Sequence, residues 1–220
     1  MLRTTSDGSH TIYLPQIDEC YHSTNGAMQE SMHIFIRTAL QASAKKELTV
    51  FEVGFGTGLN ALLTLLDARE RGIKVHYVAV ELFPVAPEVV SQLNYVSCAS
   101  ALYPASEDDF MQLHGAPWDE QVAISPDFTF TKWHTDLNTF DFGSIKPDVV
   151  YFDAFSPEKQ GEMWSRANFE KIHNACHKGA ILATYCAKGI VRRTMQSVGF
   201  AVERLPGPPG KREILRAMRG

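Results

Sequence analysis

No apolar run in this 220-residue sequence is long enough to cross a bilayer. The opening residues, Met1-Leu2-Arg3-Thr4-Thr5-Ser6-Asp7, lack the apolar region of a signal peptide. Cysteine is scarce. The four present, Cys20, Cys98, Cys176 and Cys186, show no C-x-x-C spacing, which argues against a zinc site and a disulfide framework. They read as reduced thiols of a cytoplasmic protein with no membrane attachment, and no metal is expected. Repeats, low-complexity segments and an interdomain linker are missing too. Neither sign of charge dominates: 21 Lys and Arg against 25 Asp and Glu give −4, not the balance of a general nucleic-acid binder. What is abundant is apolar surface; 45% hydrophobic residues suffice for a sizeable core.

One further absence is informative. Val50 to Asn60 reads V-F-E-V-G-F-G-T-G-L-N. An apolar strand runs into Gly54, Gly56 and Gly58, and a helical pattern follows at Leu59, Leu62, Leu63 and Leu66. Strand, glycine turn and helix let backbone approach a ligand, with free N–H groups at the helix start. The dinucleotide spacing G-x-G-x-x-G is not there, because Leu59 stands where its third glycine belongs. The pattern present, E-x-G-x-G-x-G, resembles the first motif of class I S-adenosylmethionine-dependent methyltransferases. The bland alternative is a tight turn that binds nothing.

Further strands end in acids. Lys74 to Val80 runs to Glu81, whose carboxylate suits a pair of ribose hydroxyls. Phe128 to His134 alternates like a strand and leads to Asp136, placed to accept from an adenine amine or simply to shape a turn. The apolar strand Pro147 to Phe152 ends at Asp153, followed by Ala154-Phe155-Ser156-Pro157. In an open α/β sheet such ends converge on one crevice. An acid-x-aromatic-x-Pro turn beside the cofactor resembles the turn of amino methyltransferases, so Asp153 is the candidate catalytic group, orienting an amine and accepting its proton. Its alternative is holding cofactor or capping a helix.

Elsewhere the pattern predicts a hairpin in His10 to Tyr21 and helices over Ala27–Leu40, Pro84–Leu93, Leu102–Leu113, Glu162–His177 and Gly189–Val198. Strands are expected at Gly179–Tyr185, Phe200–Leu205 and Lys211–Met218, the last two forming an antiparallel edge on an otherwise parallel sheet. Residues 1–45 are expected to pack as a hairpin and helix on a Rossmann-like domain of residues 46–220, as one globular unit. Charge is uneven along this chain: from Lys178 onward nine basic and two acidic residues give +7, against 12 basic and 23 acidic residues, −11, before it. A basic tail is able to meet phosphates, or only to balance the acidic half.

Several segments together carry a more specific resemblance: D-G-S-H-T-I-Y (7–13), Y-H-S-T-N-G-A-M-Q-E-S-M-H-I-F-I (21–36), F-E-V-G-F-G-T-G-L-N (51–60), Y-F-D-A-F-S-P-E-K-Q-G-E-M-W (151–164), A-T-Y-C-A-K-G-I-V-R-R (183–193) and G-K-R-E-I-L (210–215). Over residues 7 to 216 the chain resembles the methyltransferase domain of the MnmC family, tRNA 5-methylaminomethyl-2-thiouridine biosynthesis proteins. The resemblance implies methylation of the 5-aminomethyl group of a wobble (2-thio)uridine, with S-adenosylmethionine as cofactor and the tRNA anticodon region as partner. It places Glu52, Gly54, Phe55, Gly56, Thr57, Gly58, Asn60, Glu81, Asp136 and Asp153 around the cofactor. Tyr21, His22, Glu30, Phe155, Ser156, Pro157 and Lys159 would surround the base or the methionine moiety. Lys188, Arg192, Arg193, Lys211 and Arg212 would meet tRNA. No FAD-dependent oxidase domain, often found in that family, is expected here, so a separate enzyme would supply the amine. Ala154 stands where the family commonly has Gly, and Asn-Pro is common near Gln160-Gly161. Two rival readings are a small-molecule amine alkyltransferase similar to spermidine synthases, and a non-catalytic module binding S-adenosylmethionine or RNA.

Overall fold

The computed structural model describes residues 1–220. Its centre is an eight-stranded sheet: β4 (Glu47–Val53), β5 (Lys74–Glu81), β6 (Gln121–Ser125), β7 (Phe128–His134), β8 (Val149–Phe152), β9 (Ile181–Thr184), β10 (Phe200–Pro206) and β11 (Glu213–Arg219). The strand order is β10-β11-β9-β8-β4-β5-β7-β6. β4 pairs in parallel with both β5 and β8, so the chain reverses its direction of travel across the sheet at this strand. Such a reversal leaves a gap between connections above the carboxyl ends. The central strands are apolar on both faces because both faces are covered; all four residues of β8 are buried.

Beneath one face lie α2 (Leu59–Arg71) and the N-terminal helix, α1 (Ala27–Ser31), continued as a wider helix over Met32–Leu40. Short α3 (Pro87–Val90), α4 (Tyr95–Ala99) and α5 (Glu107–Gly115) complete that side. α6 (Arg166–Ala175) and α7 (Gly189–Ser197) cover the other face. The two apolar layers hold 37 and 23 buried residues, on opposite sides of the sheet. A separate small sheet, β1 (Leu2–Thr4), β2 (His10–Leu14) and β3 (Glu19–Cys20), is antiparallel. No helix is long and apolar enough to cross a membrane.

The expected core elements are present, with local differences. The first expected helix changes pitch at Met32, with Gln41 N–H reaching back five residues to Ile36 O. The Pro84–Leu93 helix shrinks to one turn, because Pro87 sets its start and no earlier residue joins it. α5 begins at Glu107 rather than Leu102, since Ser106 and Asp109 form a reciprocal cap that fixes the first turn. Ser165 likewise caps α6 and splits off a preceding short turn, Gly161–Trp164. Gln121–Ser125, where no element is expected, is an edge strand antiparallel to β7. The sheet thus has antiparallel pairing at both edges, not only at the C-terminal one.

Candidate active site

The loop after β4 is built for close approach. Gly54 has φ 87°, and a Cβ there would come within 3.0 Å of the Asp153 carbonyl oxygen. Only glycine lets the two strand-end turns touch. Gly54 and Phe55 N–H donate to Val80 O, which ties the loop to β5. Glu81 then accepts from Gly56 N–H at 2.9 Å and from Phe83 N–H at 2.8 Å. Its carboxylate is therefore fixed at the rim, each oxygen keeping a lone pair for a ligand.

Beside this loop lies a crevice of about 1440 Å³. Gly54, Phe55, Gly56, Thr57, Asn60, Glu81, Asp136 and Asp153 all line it, as do Tyr21, His22, Glu30, Phe155 and Lys159. Strand-end residues far apart in sequence thus meet at one rim. Asp136 is held by a turn in which its Oδ1 accepts from Asn138 N–H and Nδ2. Tyr21 and Phe155 meet edge to face at 5.1 Å between centroids and form an apolar wall.

Asp153 sits on the floor of this crevice. Burial, then the negative charge of Glu30, pushes its carboxyl up to about 7, against the pull of Asn60 and Lys211. Asn60 Nδ2 donates at 2.8 Å to Asp153 Oδ2 and at 3.0 Å to Glu52 Oε1. Glu52 is fully buried, accepts from Tyr77 O–H at 2.7 Å and is raised well above the carboxylate range by burial. It does not line the crevice; it braces Asn60, which braces Asp153.

Ser156 N–H and Oγ donate to the two oxygens of Glu19, fastening the Asp153 turn to β3. Ser156 and Pro157 shape that turn outside the crevice lining. Glu30 is buried, takes Ser23 N–H on Oε2 at 2.8 Å and has Lys211 Nζ 3.2 Å from Oε1. That lysine also lies 4.7 Å from the Tyr185 ring centre and lines the crevice. It arrives there because the β10–β11 turn packs on the N-terminal segment, with His33 Nε2 meeting Pro206 O at 2.8 Å. Arg193 and Arg212 are exposed, Arg192 is half-buried, and Lys188 is exposed and paired with Glu158. None of these four lines the crevice. Lys211, Glu19 and Tyr185 were not read from the sequence as parts of the crevice; a loop contact across 181 positions, from Glu30 to Lys211, leaves no periodic signal.

Comparison with known proteins points to methyltransferases. Residues 117–220 match a family described as S-adenosyl-L-methionine-dependent methyltransferase. The tRNA 5-methylaminomethyl-2-thiouridine biosynthesis bifunctional protein MnmC of Cupriavidus metallidurans is 31% identical over 96% of this chain and 32% of its own length. Its counterpart in Cupriavidus necator is 33% identical over 90% of this chain and 31% of its own. The chain thus spans about a third of the curated relatives it matches. A solved structure, MnmC2 from Aquifex aeolicus, superposes with a TM-score of 0.77 at 25% identity, covering 99% of this chain and 69% of that one. The architecture is that of class I S-adenosylmethionine-dependent methyltransferases. The rim suits that cofactor: a glycine loop with no room for side chains and an anchored carboxylate on the next strand, with a crevice large enough for a nucleoside.

Proposed function

We propose, from the premise that the chain is MnmC-like over nearly its whole length, that it N-methylates the 5-aminomethyl group of a (2-thio)uridine at the tRNA wobble position. When bound, S-adenosylmethionine supplies the methyl group on a sulfonium. The glycine loop, Glu81 and Asp136 would hold that cofactor, and Asp153 would hold the amine. An alkylammonium has no lone pair, so it must shed a proton before it attacks. Asp153 carries this reading: its Oδ2 is pinned by Asn60, and its carboxyl titrates near 7, where it can accept that proton.

Tyr21 and Phe155 would flank the flipped base and exclude water from the reacting amine. Lys188, Arg192, Arg193 and Arg212, outside the crevice, would meet anticodon-stem phosphates, with Lys159 at its mouth. The amine would be made by a separate enzyme, and the work done in the cytoplasm. A second reading has an observation of its own. Asp18, Glu19, Glu30, Asp136 and Glu162 give the crevice an acidic wall, which suits a free polyamine. The MnmC likeness favours the tRNA.

Incubation with labelled S-adenosylmethionine and undermethylated tRNA, followed by nucleoside analysis, tests this. Label in 5-methylaminomethyl(thio)uridine is the expected result. Label found only in added polyamines contradicts it, and cofactor binding without transfer to either acceptor marks a binding module instead.

A further inference from the structure

Thr57, in the glycine loop, gathers three elements. Its hydroxyl lies 2.8 Å from His22 Nε2 and 3.1 Å from the Tyr95 hydroxyl, and its carbonyl lies 3.1 Å from His114 Nε2. Thr57 is 1% exposed and Tyr95 fully buried, so neither hydroxyl has water to turn to. Each proton must therefore be used within the group. Tyr95 O–H has one neighbour that can accept, Thr57 Oγ1. Thr57 O–H then has one acceptor left, His22 Nε2. If Nε2 carried the proton instead, one hydroxyl proton of the Tyr95–Thr57 pair would be buried with no partner. Burial holds the His22 imidazole down at about 4, so the ring is neutral.

The hydrogen-bond order Tyr95 to Thr57 to His22 thus places the single ring proton of His22 on Nδ1. That atom has no partner in the protein, is not sealed from solvent, and belongs to a residue lining the crevice. The backbone of His22 is fixed as well, its N–H donating to Thr11 Oγ1 at 2.9 Å. We propose that Tyr95 and Thr57 are positioning residues that lock His22 as a neutral Nδ1–H donor, aimed at the carboxylate of the cofactor's amino-acid end.

The lock itself follows from the protein alone; the identity of the acceptor rests on the S-adenosylmethionine reading above. A neutral donor suits this place. A cation beside the sulfonium would repel it, whereas an imidazole N–H satisfies a carboxylate without adding positive charge. His22 adjoins Tyr21 in sequence, so the same short segment would seat the cofactor on one side and wall the base pocket on the other.

Two experiments separate lock from ligand. Nitrogen-15 NMR of histidine-labelled protein without ligand reads the tautomer directly. His22 is expected with Nδ1 protonated and Nε2 bare; Thr57→Val should release it toward the Nε2–H form, and Tyr95→Phe should weaken the Nδ1–H preference, an unchanged preference removing Tyr95 from the lock. A wild-type spectrum with Nε2 protonated overturns the proposal. Calorimetric binding then uses S-adenosylhomocysteine and its decarboxylated analogue. His22→Asn keeps a donor near Nδ1 and His22→Gln keeps one near Nε2. Asn should bind S-adenosylhomocysteine within a few-fold of wild type, and Gln on the order of tenfold more weakly. The decarboxylated analogue should bind both variants alike. Equal losses for both ligands in the Gln variant would overturn the carboxylate assignment. If none of the proteins binds S-adenosylhomocysteine while the tautomer is as stated, the cofactor reading fails and the lock stands.

Discussion

Two aspartates bracket one strand of this protein and behave in opposite ways. Asp148 enters β8 and Asp153 leaves it. Burial acts to raise both carboxyls. At Asp148 that effect is outweighed: Lys45 and Thr49 N–H donate to the carboxylate, His177 joins them at 2.8 Å, and the group is held below the usual carboxylate range. At Asp153 the single donor is Asn60, Glu30 adds negative charge, and the carboxyl rises to about 7. The amino end of the sheet is where charge is satisfied and strands are tied together. The carboxyl end leaves a charge under-satisfied, at a cost in stability, a pattern that clusters at functional sites.

The contrast is broken most severely at Asp153. Asp153→Asn should reduce methyl transfer by about 10²- to 10⁴-fold, the range for losing a positioned general base, while cofactor affinity measured by calorimetry changes little. Its stability should move the other way. A carboxyl raised in the folded state is fully tolerated below its unfolded value of 3.8 and penalised as pH climbs through about 7. The Asn variant should therefore gain roughly 1–2 kcal/mol over wild type at pH 8, after allowing for water on its open side, and lose that advantage below pH 4 in denaturant titrations.

Next in size is the loop. Gly54→Ala forces an L side chain into positive φ and against the Asp153 carbonyl. Calorimetry should show cofactor affinity falling by about 10-fold or more and thermal unfolding a loss of roughly 1–2 kcal/mol. Asp148→Asn should cost about 2 kcal/mol at pH 7 yet leave the transfer rate of the folded fraction unchanged. Here the sign is reversed. Asp148 contributes above its unfolded value of 3.8, and the contribution disappears as pH falls through its lowered folded value, so the two proteins should converge in acid. Smallest is the paired change Arg192→Ala with Arg193→Ala. It should weaken tRNA binding several-fold and flatten the salt dependence by up to about two units of slope; an unchanged slope removes these residues from the interface.

The same division describes what was legible in the sequence. β4, the glycine turn, α2 and the acids ending β5, β7 and β8 could be read because each is a local pattern of period or punctuation. β6 escaped because its pattern of exposure is that of an edge strand, with only Val122 and Ile124 to mark it. The pitch change at Met32 has no signature in a sequence that is apolar at helical spacing throughout. In the sequence Glu52 belongs to the loop motif and so groups with the cofactor residues, yet strand alternation turns it into the core, where Tyr77 and Asn60 meet it. By sequence Lys211 belongs with the basic tail; the β10–β11 turn carries it to Glu30 instead. Tyr95 and His114 come from α4 and α5, and their convergence on Thr57 is a tertiary event.

The direct test of the central assignment is single-turnover methyl transfer to tRNA carrying 5-aminomethyluridine, followed across pH 5 to 9 for wild type and Asp153→Asn. If Asp153 takes the amine's proton, the wild-type rate should rise with an inflection near 7 that the variant lacks. A variant that transfers methyl at the wild-type rate with the same inflection would contradict it.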